Sequence, residues 1–288
     1  MAQADTASLP QALPPWHRLV RTARREPAMA GGVLVLALLC LVAAVPGLFA
    51  GQSPYAIDVA NALQPPSAAH LFGTDDTGRD IFARVIHGTR MTLAICASAL
   101  LIAAVIGGIG GTVSGFFGGW IDQGLGRLID VVLSFPPIIL GVIVTGVLGP
   151  ETSNLILALS VIYLPVFFRI ARSGAVGEVG KTYVEAARCL GLPEATILRR
   201  HVLRNVLPLV LMQYIVQFPL VLQIQAALGF LGLGVQPPTP DWGAILQQGK
   251  DAILLAPWIS LFPGLAVLIT AFALMLTGRA LQRSVDRR

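Results

Sequence analysis

YVEAARCLGLPEATILRRHVLRNVLP, residues 183–208, is a basic, glycine-broken helical stretch set between two apolar runs. What flanks it decides the fold. A bilayer core needs about 20 apolar residues per helix. Six runs meet that need, roughly 29–49, 91–113, 128–149, 152–169, 206–228 and 257–278. They are continuous rather than alternating, which argues against a barrel. The expected class is therefore an all-α integral membrane protein with six transmembrane helices.

Charge placement orients the chain. With the N-terminus in the cytoplasm, sixteen of the twenty Lys and Arg residues fall on the inner side. Outside lie only Arg79, Arg84, Arg90 and Lys250. That is the positive-inside bias, and it puts both termini in the cytoplasm. Topology thus accounts for the basic charge without a nucleic-acid partner. The first run is too long for a signal-peptide core and lacks a small-residue cleavage pattern, so it reads as an anchor. Cys40, Cys96 and Cys189 have no metal spacing and form no disulfide framework.

The chain divides into a polar tail at 1–28, a first span with outer loop at 29–90, a five-helix core at 91–279 and a tail at 280–288. The core contains an inner loop at 170–205 and an outer loop at 229–256. Residues 77–88 place Ile81, Phe82, Val85 and Ile86 on one helical face, as in a short amphipathic helix lying on the outer surface. Asp75 or Asp76 is expected to cap it. Ala99, Ala103, Gly107, Gly111, Gly115 and Gly119 recur every four residues, a stripe that lets another helix approach closely. Arg127 and Asp130 are spaced to pair. Pro136-Pro137 should kink the third span, and Pro219 removes a donor from the fifth.

Within the inner loop, Thr182 and Glu185 fit a capping box, in which hydroxyl and carboxylate satisfy each other's backbone amides. Gly191 is a natural stop, and Pro193 suits the first turn of a second helix ending near Leu203. Two short helices joined at a glycine would lie at the inner face. Small Ala186 and Ala187 leave the first of them able to enter a groove on another protein. The bland alternative is a solvated connection.

The central parts of all six runs lack Asp, Glu, Lys, Arg and His, whereas ion-driven pumps bury such groups at mid-membrane. Gln213 and Gln217, one turn apart, are the candidate path residues, with Gln223 and Gln225 beyond them. Neutral amides can hydrogen-bond a peptide but relay no protons. They serve equally as glue between helices. No G-x-x-x-x-G-K-[ST] phosphate loop is present, nor a G-x-S-x-G elbow or a Ser-His-Asp or Cys-His constellation. The reading is a transport subunit rather than an enzyme, driven by a partner. Rivals are an energy-independent channel and a membrane metal protein using His70, Asp75, Asp76, Asp80 and His87.

Three segments carry a family resemblance. HLFGTDDTGRDIFARVIHGTRMTL at 70–93 and ALGFLGLGVQPPTPDWGAIL at 227–246 resemble segments of the dipeptide/oligopeptide/nickel ABC-importer permeases. EAARCLG at 185–191 resembles the EAA loop of importer permeases generally. The resemblance implies a type I importer architecture and a role in peptide or nickel-complex import. It further implies a second permease, two ATPases that bind ATP-Mg, and an extracytoplasmic binding protein. Glu185, Ala186, Ala187 and Gly191 would belong to the coupling helix that enters the ATPase cleft. Arg204 departs from the pattern, standing where the family often has proline.

Overall fold

The computed structural model describes residues 27–286. Residues 1–26 of the polar tail, with Arg18, Arg21, Arg24 and Arg25, and also Arg287 and Arg288, lie outside the described residues. The described chain is helical. Its elements are α1 (Pro27–Ala44), α2 (Ile81–Phe117), α3 (Gly119–Leu133), α4 (Pro137–Leu148), α5 (Thr152–Val179) and α6 (Thr182–Cys189). They continue with α7 (Glu194–Phe230), α8 (Trp242–Lys250) and α9 (Trp258–Asp286). Four of them, α2, α5, α7 and the 258–279 part of α9, are long and apolar enough to cross a membrane. The α3–α4 pair makes a fifth if counted as one span, and α1 includes a shorter apolar helix, Ala30–Ala44.

Helix α2 has 37 residues, about 55 Å at 1.5 Å per residue, well beyond a 30 Å hydrocarbon core. This length corrects one expectation: no separate surface helix covers 77–88. Residues 81–88 supply the first turns of α2, and Ile81, Val85 and Arg84 are buried against the protein. The cap is also reassigned. Asp80, not Asp75 or Asp76, accepts from the Ala83 amide at 2.7 Å, because Asp75 is taken up by two arginines.

The small-residue stripe packs α2 along α5. A Cβ on Gly107, Gly111 or Gly115 would lie 2.6, 2.2 or 2.5 Å from the carbonyl oxygens of Leu164, Phe168 and Arg172. Glycines four apart thus meet carbonyls four apart, so the two helices run parallel with backbones in contact. The stripe ends before Gly119, which lies beyond α2 with φ +56°. Tight packing is what these glycines provide.

The third run is broken. Helices α3 and α4 meet at 90°. Pro136 is extended (ψ 136°) because the residue before a proline avoids helical geometry, and Pro137 then starts α4. Pro165, Pro208, Pro219 and Pro263 instead sit inside continuous helices, all but Pro208 buried against neighbouring elements. Asp130 pairs with Arg169 of α5 at 3.3 Å and not with Arg127. The fourth run extends as helix to Val179, past its apolar limit.

Candidate functional site

The connection between α5 and α7 is built around α6. Lys181 occupies the N-cap position without a side-chain cap, so Thr182 is already inside the helix and the expected capping box does not form. The C-terminal signal behaves as expected. Gly191 takes φ +77°; its amide donates to Arg188 O at 2.9 Å, and the Leu192 amide donates to Ala187 O at 3.2 Å. Those two bonds define a Schellman stop, which favours glycine because a side chain would clash in the left-handed region. Pro193 caps the next helix rather than opening it. That helix does not end near Leu203. A wide π-type turn at Leu198–Val202 carries it directly into the fifth apolar run, through Arg204.

Glu185 and Ala186 are exposed, whereas Ala187 is buried with Val184 on the underside of α6. Two braces hold this helix. At its start, Glu178 of α5 accepts from the Tyr183 hydroxyl (2.5 Å) and Asn205 Nδ2 (3.1 Å) and pairs with Lys181. Burial, then the bond to Glu178, pushes the Tyr183 phenol above its ordinary pKa, so it remains a donor. At its end, Arg188 donates to Glu194 at 2.9 Å and lies over the Phe116 ring of α2 at 5.7 Å.

The candidate path residues separate. Gln213 lines a cleft of about 340 Å³ with Leu133, Pro165, Arg169 and Ser173, while Gln217 is buried in α7. Gln225 is committed elsewhere. With Thr92 Oγ1 (2.7 Å) and the Ala244 amide (3.2 Å), its Nε2 (3.0 Å) donates to the buried Asp241 carboxylate. Burial outweighs these bonds and raises the Asp241 pKa. The network ties α2, α7 and α8 together, and Trp242 adds a bond from Nε1 to Val85 O at 2.9 Å.

At the same end of the bundle, Asp75 accepts from Arg79 Nε (2.7 Å), Arg84 Nη1 (2.6 Å) and Thr77. Burial alone would raise its pKa. The Arg79 amide, the Thr77 hydroxyl and the charges of Arg84 and Arg79 outweigh burial and hold it below the usual carboxylate value. His70 contacts Asp80 at 2.9 Å. Of the side chains weighed for metal binding, His70, Asp75, Asp76 and Asp80 are thus engaged in polar contacts with one another, with arginines or with a helix cap. Among the described residues, no group of three or more His, Cys, Asp or Glu is placed to hold a metal.

Sequence reading passed over Glu178 and Asp241. Their partners are up to 27 residues away in the first case and 149 in the second, and no local pattern marks such pairs.

Comparison with known proteins agrees with this architecture. Residues 107–288 match the profile of the family described as binding-protein-dependent transport system inner membrane component. The chain is 33% identical to the dipeptide transport system permease protein DppC of Alkalihalophilus pseudofirmus, over 96% of this chain and 90% of that protein. It is 36% identical to the glutathione transport system permease protein GsiD of Escherichia coli O157:H7, over 94% of this chain and 90% of the relative. The probable D,D-dipeptide permease DdpC of Escherichia coli K12 is 35% identical, over 93% and 90%. Among solved structures, a chain of the inward-facing MetNI methionine ABC transporter superposes with a TM-score of 0.57. That match has 20% identity and covers 70% of this chain and 96% of the other, a likeness of fold alone. The chain therefore belongs to the binding-protein-dependent inner-membrane transport components, as an ABC-importer permease of the dipeptide/oligopeptide family.

Proposed function

We propose that this chain forms half of the translocation path of an ATP-driven importer for di- or oligopeptides. It pairs there with a second, homologous permease. The chain crosses the membrane six times with both termini cytoplasmic, as the distribution of Lys and Arg favours. Two cytoplasmic ATPases hold ATP-Mg and supply the energy, and an extracytoplasmic binding protein delivers substrate. The 51–80 and 231–257 segments then face outward and α6 faces the ATPases. Short peptides are the shared cargo in the names of the dipeptide, D,D-dipeptide and glutathione relatives, which favours that substrate class.

The observation that carries the reading is α6. It is an eight-residue helix with Glu185 and Ala186 exposed, Ala187 tucked beneath, and a left-handed stop at Gly191. Braced against two long helices, it can pass a push from the ATPases into the spans and rock them between outward and inward openings. Gln213, in its cleft, is the better placed of the two candidate path residues; Gln217 lies deeper. Glu185→Arg reverses the charge on the exposed face and should abolish accumulation of a radiolabelled dipeptide while leaving this chain folded in the membrane. Normal dipeptide accumulation by that variant would refute coupling through α6.

A further inference from the structure

We propose that Glu178 is the latch that fixes α6 to both neighbouring spans, a positioning residue for the coupling step; this rests on the coupling reading above. The carboxylate sits in the last turn of α5 with its side chain 14% exposed. Its Oε2 accepts from Tyr183 of α6 and from Asn205 of α7, and Asn205 Nδ2 also donates to the Tyr183 hydroxyl at 3.1 Å. Its Oε1 takes Lys181 Nζ, at the entry to α6. One side chain thus joins three elements.

The rest of α6 gives it little hold. An eight-residue helix is too short to be stable alone. Its buried underside is Val184 and Ala187, two small side chains. The brace at the far end, Arg188 with Glu194, has side chains 38% and 48% exposed. Pairs as exposed as that contribute little. Hydrogen bonds to a charged, largely shielded acceptor are roughly twice as strong as neutral ones. The Glu178 cluster is therefore the stronger of the two braces, and it alone engages α5, α6 and α7 together. A displacement of α6 reaches both spans through this carboxylate.

The test uses the whole complex, co-purified with its second permease and ATPases in nanodiscs, and compares Glu178→Gln with wild type. Amide exchange across 183–190 should accelerate about tenfold or more, the size expected for losing a hydrogen bond to a charged group. Exchange in 155–170 should not change. Tyr183→Phe, which removes one donor and keeps the charge, should give a smaller acceleration over the same residues. Arg188→Gln should give almost none at the start of α6. In proteoliposomes supplied with the binding protein, radiolabelled dialanine taken up per ATP hydrolysed should fall for Glu178→Gln. Unchanged exchange in both Glu178→Gln and Tyr183→Phe would overturn the latch and leave the coupling reading standing. Faster exchange with unchanged uptake per ATP would overturn transmission through α6, and the coupling reading with it.

Discussion

Arg84 and Asp75 close a buried ion pair: Nη1 donates to Oδ2 across 2.6 Å, with the two side chains 0% and 1% exposed. Arg84 belongs to the first turns of α2 and Asp75 to the preceding loop, so the pair fastens that loop to a 37-residue helix of the bundle. Arg79 shares the same carboxylate, and two nitrogens of Arg84, Nε and Nη2, have no hydrogen-bond partner among the described residues. Removing the anion would leave two cations facing each other in a shielded site. Asp75→Ala should destabilise the protein by about 3–5 kcal/mol, the cost of leaving a buried charge uncompensated. Thermal unfolding of the purified variant in detergent, followed by tryptophan fluorescence, measures this. A loss below about 1 kcal/mol, the range of exposed pairs, would show that the charges are solvated in the native protein.

The same carboxylate sets an acid limb. The pKa of Asp75 is lowered on folding, so its contribution is fully present above the unfolded value, near 3.8, and is lost as pH falls through the lower folded value. Asp241 has the opposite sign. Its pKa is raised, so the folded state binds a proton more readily, and this group favours folding as pH falls through its raised value toward the unfolded one. Melting temperature followed downward from neutrality should therefore show two changes. Asp75→Asn should lose part of the drop below about pH 4, and Asp241→Asn should lose a stabilising rise above that point. Identical pH profiles for wild type and Asp75→Asn would contradict the first assignment.

What could be read in advance follows the range of each interaction. The glycine stripe, the stop at Gly191 and the break at Pro136-Pro137 are local consequences of residue type, and all three stand in the fold. Local rules failed where a distant partner competes. Asp130 had a neighbour of suitable spacing in Arg127, yet Arg169, 39 residues on, takes it. Thr182 had the right partner for a capping box, but the helix begins one residue too early for its hydroxyl to sit at the cap. Asp75 looked like a cap because nothing in the sequence shows Arg84 folding back onto it. The Glu178 cluster depends on α5 and α7 lying side by side, which no spacing within the loop encodes. The small-residue stripe is the visible trace of helix packing; the polar network that such packing permits has none.

Gly191 separates backbone conformation from contact. Its φ is +77°, yet a Cβ there would meet nothing within 4 Å among the described residues. Gly191→Ala should thus cost only the local left-handed penalty, about 1–2 kcal/mol, with no clash against other parts of the protein. Gly191→Asn should cost less, because asparagine tolerates that region. Amide exchange at Leu192, whose N–H closes the Schellman motif, reports the difference directly. Equal exchange in Gly191→Ala and wild type would mean that the stop does not depend on glycine.

Gly111 and Gly124 provide a contrast within one chain. Both lie inside helices, so replacing either with alanine should gain up to about 1 kcal/mol of helix propensity. At Gly124 nothing among the described residues lies within 4 Å of the new Cβ, and the gain should survive as an unchanged or slightly raised melting temperature. At Gly111 the new carbon would sit 2.2 Å from the Phe168 carbonyl oxygen. The obstacle is backbone, which cannot rotate aside, so α2 and α5 must separate along a contact that Gly107 and Gly115 share. Overpacking of this kind costs about 1–3 kcal/mol or more, enough to outweigh the propensity gain. Gly111→Ala should therefore lower the melting temperature and the yield of folded protein, with Gly124→Ala as the control for helix propensity. If both variants melt with the wild type, α2 and α5 do not meet backbone to backbone, and the stripe needs another explanation.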